Sequence, residues 1–210
     1  DYRVATIGPA GEKLVRFACV VNDSTRRQRA GVAGRGGIGA VMGSKRLKAV
    51  LVKGHLKAED IVPAEHRETA LALRREMVEY LKKEVVPGFG LGGNLPVMQV
   101  TSDSKITPTL NFRRGTIAGI EKVTEKGFAE VTVGKKTCFL CPVGCGVAIR
   151  AKEGPYAGVE LERIEYETVA MNGPNCGHTD IGAITKVARL CNEYGMDTIA
   201  VGSLTAFVME

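Results

Sequence analysis

Three cysteines fall within one eight-residue run, Cys138-Phe-Leu-Cys141-Pro-Val-Gly-Cys145, with the spacing C-x2-C-x3-C. Three thiolates this close can face one centre only if the intervening backbone folds back, which Pro142 and Gly144 permit. Soft thiolates select zinc or an iron-sulfur cluster. Zinc sites commonly pair C-x2-C with a second Cys or His pair some way off, and no such pair occurs here. A 4Fe-4S cluster takes four cysteines, often three close together and one remote, so the spacing favours it over zinc and over unliganded structural thiols. The fourth ligand is then either Cys176 or a residue beyond Glu210, because Cys191 lies on an apolar helical stripe and reads as a core residue.

A second run able to do chemistry is Ala33-Gly34-Arg35-Gly36-Gly37-Ile38-Gly39, which contains G-x-G-x-x-G. A dinucleotide site needs a strand before this fingerprint, a long helix after it and an acid about 20 residues on. Here Lys45-Arg46 and a strand follow Ser44 at once, leaving no room for a crossover. Gly39 to Lys45 is one residue short of a P-loop, with its Lys and Ser inverted. Two readings remain. A bare backbone flanked by Arg35, Lys45, Arg46 and Lys48 can approach an anion and offer it N–H donors, or the run is a tight strand connection with surface charges.

The elements that would position these runs differ along the chain. Leu14 to Asn22 alternates and Ala49 to Val52 is a continuous apolar run, so the first segment reads as a sheet domain closing near Gly54. Asp60 and Pro63 then start a helix carrying Leu73, Met77, Tyr80 and Leu81, stopped at Pro87-Gly88. Phe89 to Thr109 reads as a long loop, and Val147 to Arg150 and Val159 to Glu167 as short strands. Asp180 caps a helix with the stripe Ile181, Ile184, Val187 and Cys191 that ends at Gly195, and Asp197 or Thr198 caps another. The fold class expected is α+β: residues 1–54 the end of a β-rich, sandwich-like domain, and residues 55–210 the start of a mainly helical one.

The composition agrees with a folded chain. In 210 residues, 44% are hydrophobic and 25% charged, which excludes collagen-like, low-complexity and disordered classes. No apolar stretch reaches membrane-span length and no signal peptide is visible, so the expectation is a cytoplasmic protein. The start at Asp1 and the stop within an apolar pattern suggest a piece of a longer polypeptide. Lys and Arg outnumber Asp and Glu 12 to 5 in residues 1–60, but are outnumbered 4 to 9 in residues 151–210. The basic first third suits bound anions.

Taken in order, Ile7-Gly-Pro-Ala-Gly-Glu12, the run Ala33-Gly-Arg-Gly-Gly-Ile-Gly-Ala-Val-Met-Gly-Ser-Lys45, Pro108-Thr-Leu-Asn-Phe112, the cysteine run, Glu165-Tyr-Glu-Thr168 and Asn192-Glu-Tyr-Gly-Met-Asp197 cover nearly the whole chain. In these motifs the sequence resembles the tungsten-containing aldehyde ferredoxin oxidoreductase family. The resemblance implies a tungsten (or molybdenum) bis-pterin cofactor, tungstopterin, lying on the N-terminal domain and enclosed by the later ones. It implies that Ala33, Gly34, Arg35, Gly36 and Gly37 approach the pterin phosphates and a bridging Mg2+. Cys138, Cys141 and Cys145 would hold a 4Fe-4S cluster whose fourth cysteine lies later, which argues against Cys176. Asn192, Gly195, Met196 and Asp197 match the family's D-x-x-G-L-D pterin motif, with Asn in the first place and Met in the fifth. The acid beside the metal falls in Glu165-Tyr-Glu-Thr168, with Glu167 favoured and Glu165 expected one strand period away on the same face. His178 could enter the metal pocket or simply belong to a cap.

The activity implied is oxidation of a small aldehyde to a carboxylic acid, with electrons passing through the cluster to ferredoxin or another electron-transfer protein or subunit, in an oligomer. A relative in the same family, the tungsten subunit of a class II aromatic acyl-coenzyme A (benzoyl-CoA) reductase, shares the cofactor motifs and is the alternative. A third reading, a zinc-stabilised nucleic-acid binding module, takes its motive from pI 9.0 and C-x-x-C. Only 5% of residues are aromatic and the cysteines adjoin the acidic third, which speaks against nucleic acid.

Overall fold

The computed structural model describes residues 2–23, 30–56, 61–90, 92–138 and 141–210. Strands β1 (Arg3–Ile7), β2 (Val20–Asp23), β3 (Ala30–Ala33) and β4 (Ala49–Val52) form one antiparallel sheet in the order β3-β2-β1-β4. Ala5 pairs with Asn22 on one side and Val50 on the other. Helices α1 (Pro9–Glu12) and α2 (Ile38–Ser44) pack against each other beside this sheet. Strand β2 is shorter than the alternation of Leu14 to Asn22 predicts. Leu14 adopts a left-handed φ of 57° and the Val15 N–H turns back to the Ala10 carbonyl at 2.9 Å. The reason lies further along the chain: Ala18 bridges Met196, and the Cys19 N–H donates to the Gly195 carbonyl at 2.9 Å.

Helix α3 (Arg67–Tyr80) follows a 3-10 turn at Ala64–His66 and runs through a π turn, Leu81–Val85, into α4 (Val86–Phe89). Pro87 falls in the first turn of α4, directly after the π turn, and the helical path ends at Phe89 and not at Pro87. The start signal Asp60 lies outside the described residues. Leu73, Met77 and Tyr80 are exposed, so the stripe that marks this helix is not buried by the described residues.

The expected loop between Phe89 and Thr109 contains helix α5 (Pro96–Asp103), with Leu95 and Met98 fully buried. Packing overrides a loop-like composition here. Helix α6 (Glu125–Ala129) precedes a second antiparallel sheet, β5 (Thr132–Lys136), β6 (Gly146–Arg150) and β7 (Glu160–Ile164), in the order β5-β6-β7. Among the described residues after 55, helices outnumber these three short strands, in keeping with the helical character and the short strands expected there. Central β6 is buried from Gly146 to Ile149 and lies in the main core with Leu95, Met98, Phe128 and Ile184. Each such apolar side chain contributes roughly 1.5–3 kcal/mol when buried. The whole is an α+β arrangement.

Helices α7 (Tyr166–Asn172), α8 (Ile181–Tyr194) and α9 (Thr198–Met209) complete the fold. Asp180 caps α8 by accepting the Ala183 N–H at 3.0 Å, Ile184, Ala188 and Cys191 bury one face, and left-handed Gly195 (φ 72°) ends it. Strand β7 stops at Ile164 and not at Glu167. Glu165 stays extended but is the residue before α7, and Glu167 lies in that helix's first turn.

Close backbone contacts of the first sheet's connections with the α8–α9 turn and with α2 are made at glycines. A Cβ at Gly8 would collide with the Tyr194 carbonyl and come within 2.8 Å of the Gly195 nitrogen, while one at Gly39 would lie 2.8 Å from the Ala18 and Cys19 carbonyl carbons. Gly39→Ala is therefore expected to destabilise the protein by about 1–3 kcal/mol. Gly54→Ala, whose Cβ meets nothing within 4 Å, should stay within about 0.5 kcal/mol. Urea unfolding of the two variants side by side checks the difference.

Candidate functional site

A cavity of about 340 Å³ opens where the end of β3, the β7–α7 corner and the α8–α9 turn meet. Its walls carry residues from three separate sequence motifs: Gly34 and Arg35; Glu165, Glu167 and Thr168; and Asn192, Met196 and Asp197. Arg163 and Thr198 add further polar groups, and Val32, Leu161, Ala188 and Ile199 apolar ones. Residues as far apart in sequence as Gly31 and Ile199, 168 positions, are thus brought round one space.

The glycine-rich wall is uneven. Gly34 leaves 3.8 Å between an added Cβ and Asp197 Oδ1, and Gly36, at φ 91°, would point a side chain into open space. Gly37 is different. It holds φ 68° before α2, and a Cβ there would collide with the Arg16 carbonyl, so this glycine is required by the fold's own packing. Ala33, Gly36, Gly37 and Gly195 do not line the cavity; Gly195 turns the chain so that its neighbours Asn192, Met196 and Asp197 do.

Asp197 is nearly buried and caps α9 with both oxygens, accepting the Ile199 and Ala200 N–H groups, each at 3.2 Å. Two of the backbone donors at this helix start are therefore already engaged, and each carboxylate oxygen keeps a further lone pair for a donor in the cavity. Its own N–H donates to the Phe17 carbonyl at 3.1 Å, which fixes it to the first sheet's connection. Beneath it the surroundings are dry. Burial pushes the Cys19 thiol up to about 11 and the Cys191 thiol up to about 12, with the Asp197 charge adding to each. Cys191 is thus a core residue. Cys176 is also buried, its thiol directed at the Met171 and Gly202 carbonyls.

The acid motif is positioned from two sides. Asn94 accepts the Tyr166 N–H at 3.0 Å and so caps α7, while buried Asn172 donates to the Thr168 and Thr198 carbonyls at 3.0 Å and ties α7 to α9. Glu165 is ion-paired with Arg163. Burial raises the Glu165 carboxyl above its ordinary range, and Arg163 opposes that rise. Glu167 forms no ion pair among the described residues. His178 lies outside the cavity, where its Nδ1 accepts the Asp180 N–H at 3.2 Å.

The cysteine loop adjoins this corner. Arg163 Nη1 donates to Cys138 Sγ at 3.1 Å and Nη2 to Cys145 Sγ at 3.3 Å, and the Cys141 N–H donates to the Cys138 carbonyl at 3.1 Å. Among the described residues, no three His, Cys, Asp or Glu side chains converge as a metal-ligand set. Two of the three cysteines meet on one cation. Motif reading misses Arg163, Asn94 and the 2.9 Å hydrogen bond between the Thr168 and Thr198 hydroxyls. Arg163 had one visible signal, a lone cation in an acidic stretch of residues 153–167.

No helix among the described residues is long and apolar enough to cross a membrane. Residues 1–54 match the family model for the aldehyde ferredoxin oxidoreductase N-terminal domain, and residues 72–210 that for domains 2 and 3. The chain is 40% identical over 211 residues to the tungsten-containing aldehyde ferredoxin oxidoreductase of Pyrococcus abyssi, covering 99% of this chain and 33% of that protein. It is 32% identical over 206 residues to the aliphatic sulfonate oxidoreductase WOR-like subunit of Pyrococcus furiosus, covering 97% and 31%. Its backbone also superposes on a chain of the active-site complex BamBC of benzoyl coenzyme A reductase, solved with 1,5-dienoyl-CoA. There the TM-score is 0.68 at 25% identity, over 99% of this chain and 32% of that one. The chain spans about a third of the length of the curated relatives it matches. With two family models together matching most of its residues, the chain belongs to the aldehyde ferredoxin oxidoreductase family.

Proposed function

We propose that this chain is the cofactor-binding part of a tungsten (or molybdenum) bis-pterin oxidoreductase that turns an aldehyde and water into a carboxylic acid, two protons and two electrons. The observation that carries the reading is the cavity itself, in which the glycine-rich run, the acid pair and the Asn192–Asp197 turn share one space. The donor set fits a pterin. One wall is bare backbone at Gly34 beside the Arg35 cation, suited to phosphate oxygens and a bridging Mg2+, and the other offers the Asp197 and Asn192 acceptors to ring N–H groups. When bound, the metal-pterin supplies the two-electron exchange with substrate.

The chain's own residues would orient the cofactor and manage protons. Glu167, at the cavity wall and without an ion pair among the described residues, takes a proton from the attacking water or hydrated aldehyde, whereas Glu165 is held by Arg163. Cys138, Cys141 and Cys145 would hold a 4Fe-4S cluster, with the fourth ligand supplied from elsewhere in the protein. Soft thiols beside the Arg163 guanidinium fit such a cluster, since a cation stabilises thiolate ligands. Electrons would leave to ferredoxin or another electron-transfer partner in an oligomeric enzyme. Residues 1–54 would form the end of the pterin domain and 55–210 the start of the next, a division supported by the family match that ends at residue 54. The reductive alternative, a class II benzoyl-CoA reductase subunit, is favoured by one observation, the backbone likeness to that enzyme's active-site complex. Aldehyde-dependent against acyl-CoA-dependent turnover distinguishes the two.

Three outcomes are expected. Gly34→Val, at a site whose backbone tolerates a Cβ, should leave the protein folded but with little tungsten and pterin, as read by elemental analysis and pterin fluorescence. Undiminished cofactor would make this run a tight turn only. Glu167→Gln should cut turnover by about 100-fold or more at unchanged metal content, and Glu165→Gln run beside it tells which carboxylate reaches the metal. Cys141→Ser should lose iron and much of the stability; stoichiometric zinc with no iron in anaerobically isolated wild-type protein would contradict the cluster.

A further inference from the structure

We propose that Arg163 is a positioning residue that sets the reduction potential of the iron-sulfur cluster and joins the cysteine loop to the cavity wall. This rests on the reading of Cys138, Cys141 and Cys145 as cluster ligands. Arg163 stands on β7 and uses all three guanidinium nitrogens: Nη1 on Cys138 Sγ at 3.1 Å, Nη2 on Cys145 Sγ at 3.3 Å, and Nε on the Glu165 carboxylate. A planar guanidinium spreads its donors over three nitrogens in fixed directions and so can reach three separated partners, whereas a Lys offers its donors from a single nitrogen. The stem is fitted as well. Gly146, next to Cys145, leaves room for it, since a Cβ there would come within 2.7 Å of Arg163 Nε and 2.8 Å of its Cγ.

Asn94 braces the same corner. Its N–H donates to the Cys145 carbonyl at 3.0 Å while its side chain caps α7 at Tyr166, so one residue ties the loop to the acid motif. Arg163 and Glu165 also line the cavity. One side chain therefore touches both the thiols and the space proposed for the pterin.

The electrostatic consequence has a definite sign. Reduction adds one negative charge to a cluster, so a cation and N–H donors at its sulfurs favour the reduced form and raise the potential. The Glu165 carboxylate, paired with the same guanidinium, acts in the opposite direction. Neutralising either partner should move the potential, and in opposite senses. A residue that merely packed the loop would not give two opposite shifts.

The test is an EPR-monitored redox titration of the anaerobically isolated protein, with iron counted, in wild type, Arg163→Gln and Glu165→Gln. Arg163→Gln should lower the cluster potential by a tenfold change in the one-electron equilibrium or more, about 59 mV, and Glu165→Gln should raise it. A wild-type potential in iron-replete Arg163→Gln overturns the proposal. Should Arg163→Gln fail to hold iron, Glu165→Gln decides: an upward shift supports the proposal and an unchanged potential overturns it. A wild-type protein isolated without iron would overturn the cluster reading itself, and the inference with it.

Discussion

The arrangement depends on backbone meeting backbone between the Arg16–Cys19 connection and the Tyr194–Asp197 turn. Cys19 and Asp197 exchange main-chain hydrogen bonds across it with Gly195 and Phe17, and Ala18 bridges Met196. Such close approach needs positions without side chains. Gly8 and Gly195 supply it on one side of the contact, and Gly37 and Gly39 on the other, where α2 presses on the same connection. With the main chains in register, Gly34 and Arg35 face Asp197, and the remaining space between them and the α7 corner is the cavity. Widening the junction by one methyl group would separate its walls. A single contact therefore serves both stability and site.

Around that space the charges are arranged in sequence. Arg35 stands on the glycine-rich wall, Asp197 is buried opposite, and Glu165 is paired to Arg163, which in turn reaches the cysteine loop. Most of these groups have partners within the protein: Asp197 the start of α9, Glu165 a guanidinium. Among the described residues Glu167 is the cavity carboxylate with neither an ion pair nor a capping hydrogen bond, which suits a group that must exchange a proton. Asn94 and Asn172 make the corner rigid, tying the cysteine loop to α7 and α7 to α9. Preorganisation of this kind is what a cofactor site requires.

Much of this was legible in the sequence because it rests on local chemistry. Asp180 and Gly195 mark the ends of α8 through capping and a left-handed turn, and both act so. The three motifs round the cavity were separately recognisable from glycine, carboxylate and turn patterns. What was not legible depends on contacts between distant residues. Alternation from Leu14 to Asn22 promised a strand, but pairing with the α8–α9 turn takes Ala18 and Cys19 out of the sheet. The Gly- and Ser-rich stretch before Thr109 hides α5, which forms because Leu95 and Met98 have a core to enter. Glu165 and Glu167 share the cavity though they are not on one strand; a helix begins between them. The exposed apolar residues Val50, Leu51 and Val52 of β4 have no explanation in the described packing.

The central claim is that the space between Gly34-Arg35 and the Asn192–Asp197 turn is a metal-pterin site. A crystal structure of the anaerobically isolated protein, with anomalous data at the tungsten edge, tests it most directly. The expected result is pterin density along Gly34 and Arg35, ring nitrogens on Asp197, and a tungsten peak on the side of Glu167. Pterin density bound at another surface, or a zinc ion on Cys138 and Cys145 beside a cavity filled only by water, would contradict it.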